Sequence, residues 1–128
     1  MAFISHPVFN ILILENNLTV VAHLLRAFNR AGVAIHPIIV PNSHLVETYI
    51  NPSNLIYDYI LLDQASPTGS FHIFDIAKFG PSRVIGISSV ASQNRQLFNR
   101  GVKYVIDKDY QNLDRFSSNV VKIISQCR

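Results

Sequence analysis

The sequence predicts an α/β fold: a doubly wound, five-stranded parallel sheet with strand order 2-1-3-4-5 and helices on both faces, flavodoxin-like in architecture. Three observations predict it. Five short apolar runs rich in β-branched residues alternate with helical stretches along the chain. Right-handed crossovers turn such an alternation into a parallel sheet. The chain has 128 residues, 48% of them hydrophobic and 15% charged, which suits one compact domain over 1–128 with a buried core.

The elements follow in order. Phe9 to Leu14 (FNILIL) reads as a buried strand. Asn17 offers an N-cap, Leu18, Val21, Leu25 and Phe28 recur at helical spacing, and Gly32 supplies the stop. Val33 to Val40 is the second strand. Asn42 caps a short helix with Leu45, Val46, Tyr49 and Ile50 on one face, closed by Pro52. Tyr57 to Leu62 (YDYILL) is the third strand, leading into a loop with Pro67 and Gly69. A short helix around Phe71 to Lys78 ends at Gly80 and Pro81. Arg83 to Ile87 is the fourth strand, Ala91 to Asn99 a helix stopped at Gly101, and Lys103 to Ile106 the fifth strand. Leu113, Phe116, Val120 and Ile124 mark one face of a last helix.

Composition excludes several classes. Mean hydropathy is +0.22, with 5 glycines and 6 prolines, so disorder, collagen and coiled coil are ruled out. The single Cys127 cannot staple a disulfide scaffold and points to a reducing, cytoplasmic setting. The longest apolar runs are about half a membrane span, and no basic segment introduces the first of them as in a signal peptide. The glycines (32, 69, 80, 86, 101) form neither G-x-G-x-x-G nor a P-loop. The loop after the first strand lacks the cradle of a flavin or nucleotide enzyme on this fold. The histidines (6, 23, 36, 44, 72) are scattered without H-E-x-x-H or paired cysteines, which argues against zinc. Charge is uneven: residues 1–77 balance at −3 and residues 78–128 at +6. The basic residues are spread rather than clustered, so a solvated surface is expected ahead of direct nucleic-acid binding.

In doubly wound folds the chemistry lies beyond the carboxyl ends of the strands. The first strand there ends in Glu15-Asn16, the third in Asp63, the fourth in Ser88, and the fifth leads to Lys108. The five polar residues are expected to converge on one rim of the sheet.

Over about residues 8–126 the sequence resembles a receiver domain of the bacterial two-component response regulators, and in length the single-domain chemotaxis regulators. ILILENN is similar to the first strand and acidic pair of that family, and LLDQASP to its phosphoacceptor strand, with Pro67 four residues after Asp63. VIGISS places Ser88 where the family carries a hydroxyl residue. GVKYVIDK places Lys108 seven residues after Gly101, as in the family's spacing. The resemblance implies a signalling module rather than an enzyme. Asp63 would take a phosphoryl group from a phosphohistidine and form an aspartyl phosphate, with Lys108 pairing with one phosphoryl oxygen and Ser88 donating to another. Magnesium would be held by Glu15, Asn16, Asp63 and the backbone carbonyl of Ala65.

The sequence also departs from that pattern. Asn16 stands where the family's second acid ligates the metal, so magnesium binding is expected to be weak. Val105 stands three positions before the lysine, where the family often has an aromatic switch residue; Tyr104 is one position out of phase and should face elsewhere. Asp109 replaces the proline that commonly follows the lysine, and the stretch from Asp63 to Ser88 is short, trimming the third helix. Asn16, Val105 and Asp109 therefore support an alternative, a pseudo-receiver that binds partners without phosphorylation; Asp63, Ser88 and Lys108 support the phosphoacceptor.

The resemblance implies a sensor kinase or phosphotransfer protein docking near the first helix and the Asp63 rim. It also implies a homodimer or output contact through the face of the fourth helix, fifth strand and last helix. That face carries Arg95, Arg100, Lys103, Arg115 and Lys122, which suits an acidic target or a downstream output domain.

Overall fold

The computed structural model describes residues 7–64 and 71–126. Ala65, Pro67 and Gly69 of the loop after the third strand, and Cys127 and Arg128, lie outside the described residues. The strands are β1 (Phe9–Leu14), β2 (Ile35–Val40), β3 (Tyr59–Leu62), β4 (Val84–Gly86) and β5 (Tyr104–Val105). They form one sheet in the order β2-β1-β3-β4-β5, every neighbouring pair parallel. The helices are α1 (Leu18–Arg30), α2 (Ser43–Leu45) running into a π-helical turn (Val46–Ile50), α3 (Ile76–Phe79), α4 (Ala91–Asn99) and α5 (Leu113–Gln126). A 3₁₀ turn, Pro81–Arg83, precedes β4. The predicted order and architecture are the observed ones.

Side-chain alternation along the strands divides the core in two. Ile11, Ile13, Leu61 and Ile85 pack with Val20, Val21, Leu24 and Phe28 of α1 and Phe116, Val120, Val121 and Ile124 of α5. On the opposite face Leu12, Leu14, Ile60, Leu62 and Val84 pack with Val46, Ile50, Phe71, Phe74, Ile76 and Leu97. Burying each of these larger side chains stabilises the fold by about 1.5–3 kcal/mol. Tyr104 lies with the first cluster and Val105 with the second, so the two residues do face opposite sides.

Several elements differ in detail from the sequence-based expectation. In α1 the buried stripe is Val20, Val21, Leu24, Ala27 and Phe28; Leu18, the first residue of the helix, is 64% exposed and Leu25 is half-buried. After α2 the backbone widens into i→i+5 hydrogen bonding, with Asn51 N–H donating to Val46 O at 2.8 Å. That turn directs Val46 and Ile50 inward and leaves Leu45 and Tyr49 exposed. The third helix is a single turn rather than the span Phe71–Lys78. Asp75 caps it by accepting from Lys78 N–H at 3.1 Å, so the chain before it turns instead, with Phe71 and Phe74 buried. No helix among the described residues is long and apolar enough to cross a membrane.

Register places the strand ends in line. Val40 pairs with Leu14, Leu14 with Leu62, Leu62 with Gly86, and Gly86 with Val105, a single row across the sheet. The residues that follow this row emerge on one edge. Gly86 also sets how closely α4 approaches: a Cβ there would lie 2.5 Å from Leu97 Cδ1 and 2.9 Å from Val105 Cγ1.

Candidate functional site

Main-chain bonds continue the sheet past its last row, among them Ile106 N–H to Gly86 O at 2.8 Å. Asp63 N–H donates to Leu14 O at 3.0 Å, Ile87 N–H to Leu62 O at 2.9 Å, and Lys108 N–H to Ser88 O at 3.0 Å. The strand-end polar residues are thereby held side by side, and the structure brings Glu15, Asp63 and Lys108 into direct contact. Lys108 Nζ lies 2.5 Å from Glu15 Oε1 and 3.2 Å from Asp63 Oδ2. Glu15, Asp63, Ser88 and Lys108 are all buried. The other oxygen of Glu15, Oε2, accepts the Asn17 N–H at 3.0 Å. Asn17 in turn caps α1, its Oδ1 accepting from Thr19 N–H at 2.9 Å. Asn16 sits at the exposed rim between them.

Burying charge without full compensation is costly, and it sets the protonation of this cluster. Burial, reinforced by the negative charge of Asp63, outweighs the pull of Lys108 and raises the Glu15 carboxyl from 4.5 to about 7. Burial alone would lower the Lys108 ammonium; Glu15, Asp63 and Tyr110 together overcome it, and its pKa rises. The ammonium also lies 5.5 Å from the centre of the Tyr110 ring. Asp63 Oδ1 is buried with no hydrogen-bond partner among the described residues. An orphaned carboxylate oxygen is one that an incoming cation or electrophile can use. Glu15, Asp63 and the Asn16 amide are the oxygen donors a hard divalent cation takes, and to that extent the residues fit such an ion. Lys108 already balances part of their charge.

Ser88 faces a different partner. Its Oγ donates to Gln64 O at 3.4 Å and accepts the Val90 N–H at 3.0 Å. Around it runs a polar network that sequence reading missed. Buried Asn94 accepts from Ser88 N–H at 3.3 Å and donates to Ser88 O at 3.2 Å and Asp107 Oδ1 at 2.7 Å. Buried Gln64 donates to Gln93 Oε1 at 3.2 Å and Gln96 Oε1 at 3.1 Å, and accepts from Arg100 at 3.2 Å. The signal for Asn94 was present: it is a polar residue three before Leu97, on the inward stripe of a helix.

Solved structures share this arrangement of elements. A response regulator from Hahella chejuensis aligns with a TM-score of 0.72 at 20% identity, covering 91% of this chain and 92% of its own. The chain has the receiver-domain fold. The phosphorylated cyanobacterial phytochrome response regulator RcpA matches this receiver fold with a TM-score of 0.69 at 20% identity, over 95% of this chain and 93% of that one. The manganese-bound form of response regulator Rcp1 matches it with a TM-score of 0.74 at 11% identity, over 91% and 94%. No family model matches the sequence. No curated protein matches it either.

Within the receiver fold, Arg95 of α4, Lys103 just before β5, and Arg115 and Lys122 of α5 are exposed. Arg100, expected with them, is turned to Gln64 and to Phe74 O at 3.1 Å.

Proposed function

We propose that this chain is a receiver-type signalling module whose Asp63 accepts a phosphoryl group from a histidine kinase or a phosphotransfer protein. The observation that carries the reading is the Asp63 carboxylate itself: buried at the strand end, paired through Oδ2 with Lys108, and with Oδ1 unpartnered among the described residues. In the transfer, an Asp63 oxygen attacks phosphorus as the phosphorus–nitrogen bond to the donor imidazole breaks. The bonding pair leaves with the imidazole nitrogen, and an aspartyl phosphate remains.

Lys108 then moves from neutralising Asp63 to pairing with a phosphoryl oxygen, and the Ser88 hydroxyl turns from Gln64 O to donate to another. Glu15, Asn16, Asp63 and the Ala65 carbonyl are the residues that would hold magnesium, which supplies charge neutralisation around the phosphoryl oxygens when bound. Two features keep that affinity low: the neutral amide at Asn16, and the ammonium of Lys108 already balancing the carboxylates.

The output is read on the face of α4, β5 and α5, whose exposed cations suit an acidic partner, a second copy or an output domain. The module works in the cytoplasm, as a regulator and not as an enzyme. A second reading, a pseudo-receiver that binds partners unmodified, draws on the same Lys108 contacts, which already balance part of the charge of the two carboxylates, and on Val105 in place of an aromatic switch.

Intact-mass spectrometry after incubation with acetyl phosphate, with and without magnesium, separates the two. A phosphoryl adduct lost in Asp63→Asn supports the phosphoacceptor, and Asn16→Asp should then lower the magnesium concentration needed. No adduct, beside a control receiver that labels, would move the assignment to the pseudo-receiver.

A further inference from the structure

Asn94 belongs to α4, yet its side chain bonds to two other parts of the rim. It holds Ser88 at the end of β4 by both main-chain polar groups, at 3.3 and 3.2 Å, and it holds Asp107, the residue before Lys108, at 2.7 Å. It is 3% exposed. A buried amide with three such bonds is fixed in one orientation, and so are the groups it holds. Lys108 N–H donates to Ser88 O at 3.0 Å, so the two residues Asn94 controls are themselves tied together.

We infer that Asn94 is a positioning residue for phosphoryl acceptance: it sets Ser88 and the Asp107–Lys108 segment against Asp63, and it makes any shift of those residues a shift of α4. The inference rests on Asp63 being the phosphoacceptor. It supplies a connection to α4 where Val105 offers no aromatic ring to swing. Ser88 can reach a phosphoryl oxygen only by releasing Gln64 O. Because Asn94 grips the Ser88 main chain from the helix, that movement draws on α4. Opposing it, Gln64 grips the same helix through Gln93, Gln96 and Arg100. The helix therefore has two polar attachments to the rim: one moves with Ser88, and the other stays with the strand that bears Asp63.

The test combines amide hydrogen exchange with labelling by acetyl phosphate, on wild type, Asn94→Ala and Asn94→Asp. Asn94→Ala should speed exchange at the Lys108 amide about tenfold or more while amides of β1 and β3 keep wild-type protection. It should also slow Asp63 labelling about tenfold or more, since small misplacements of assisting groups are costly. Asn94→Asp keeps the acceptor for Ser88 N–H but turns a carboxylate oxygen on Asp107 Oδ1 and Ser88 O, so it should speed Lys108 exchange and slow labelling at least as much as alanine; having the volume of Asn, it serves if the cavity left by alanine prevents folding. Unchanged Lys108 exchange in both variants would overturn the inference, as would wild-type labelling rates. If wild-type protein does not label at all, the phosphoacceptor reading fails, and the exchange measurement alone still decides whether Asn94 positions Ser88 and Lys108.

Discussion

Lys108 and Glu15 meet 2.5 Å apart with both side chains fully withdrawn from solvent, joining the end of β5 to the end of β1 across β3 and β4. The same ammonium touches Asp63, so one cation serves two carboxylates. Removing one member of a buried ionic cluster leaves the others uncompensated, which typically costs about 3–5 kcal/mol. Lys108→Met should lose stability of that size in urea titrations at pH 8, above the Glu15 pKa of about 7, and less at pH 5.5, where Glu15 holds a proton. A loss below about 1 kcal/mol at pH 8 would show that the cluster contributes nothing to the fold.

The raised Glu15 carboxyl gives a pH dependence with a definite sign. Between its ordinary value of 4.5 and about 7, folded protein binds a proton at Glu15 that the unfolded chain has released. Stability from this group is therefore full below pH 4.5 and is lost as pH rises to 7 and above. The shift corresponds to about 3 kcal/mol at most. Urea midpoints between pH 5 and 8 should fall in wild type and flatten in Glu15→Gln. A wild-type midpoint that rises through this window contradicts the assignment.

Gly86 governs the seat of α4. In Gly86→Ala the new methyl would meet Leu97 and Val105 well inside contact distance, and both belong to the core. Overpacking of this kind typically costs about 1–3 kcal/mol. Thermal or urea unfolding should report that loss, with amide shifts concentrated in α4 and β5. An unperturbed α4 would mean that the helix sits farther from the sheet than described.

Much of the fold was legible because strand runs such as FNILIL and YILL are apolar enough to be buried on both faces, whatever surrounds them. Asn17 as a cap and the Phe116, Val120, Ile124 stripe likewise follow from local chemistry. The convergence of Glu15, Asp63 and Lys108 was legible for a different reason: in a parallel sheet the strand ends must share one edge. Three features were not. The π turn after α2 and the one-turn α3 depend on how Asn51 and Asp75 bond across the turn, Asn51 Oδ1 accepting the Asp75 N–H at 3.0 Å. The Gln64 and Asn94 attachments of α4 depend on side chains far apart in sequence, and no periodicity encodes such pairs.

Trapping the modified residue tests the central assignment most directly. After incubation with acetyl phosphate and magnesium, borohydride reduction converts an aspartyl phosphate to homoserine, which peptide mass mapping locates. The expected result is homoserine at position 63, absent without acetyl phosphate and absent in Asp63→Asn. Homoserine at another aspartate, or labelling that persists in Asp63→Asn, would contradict it.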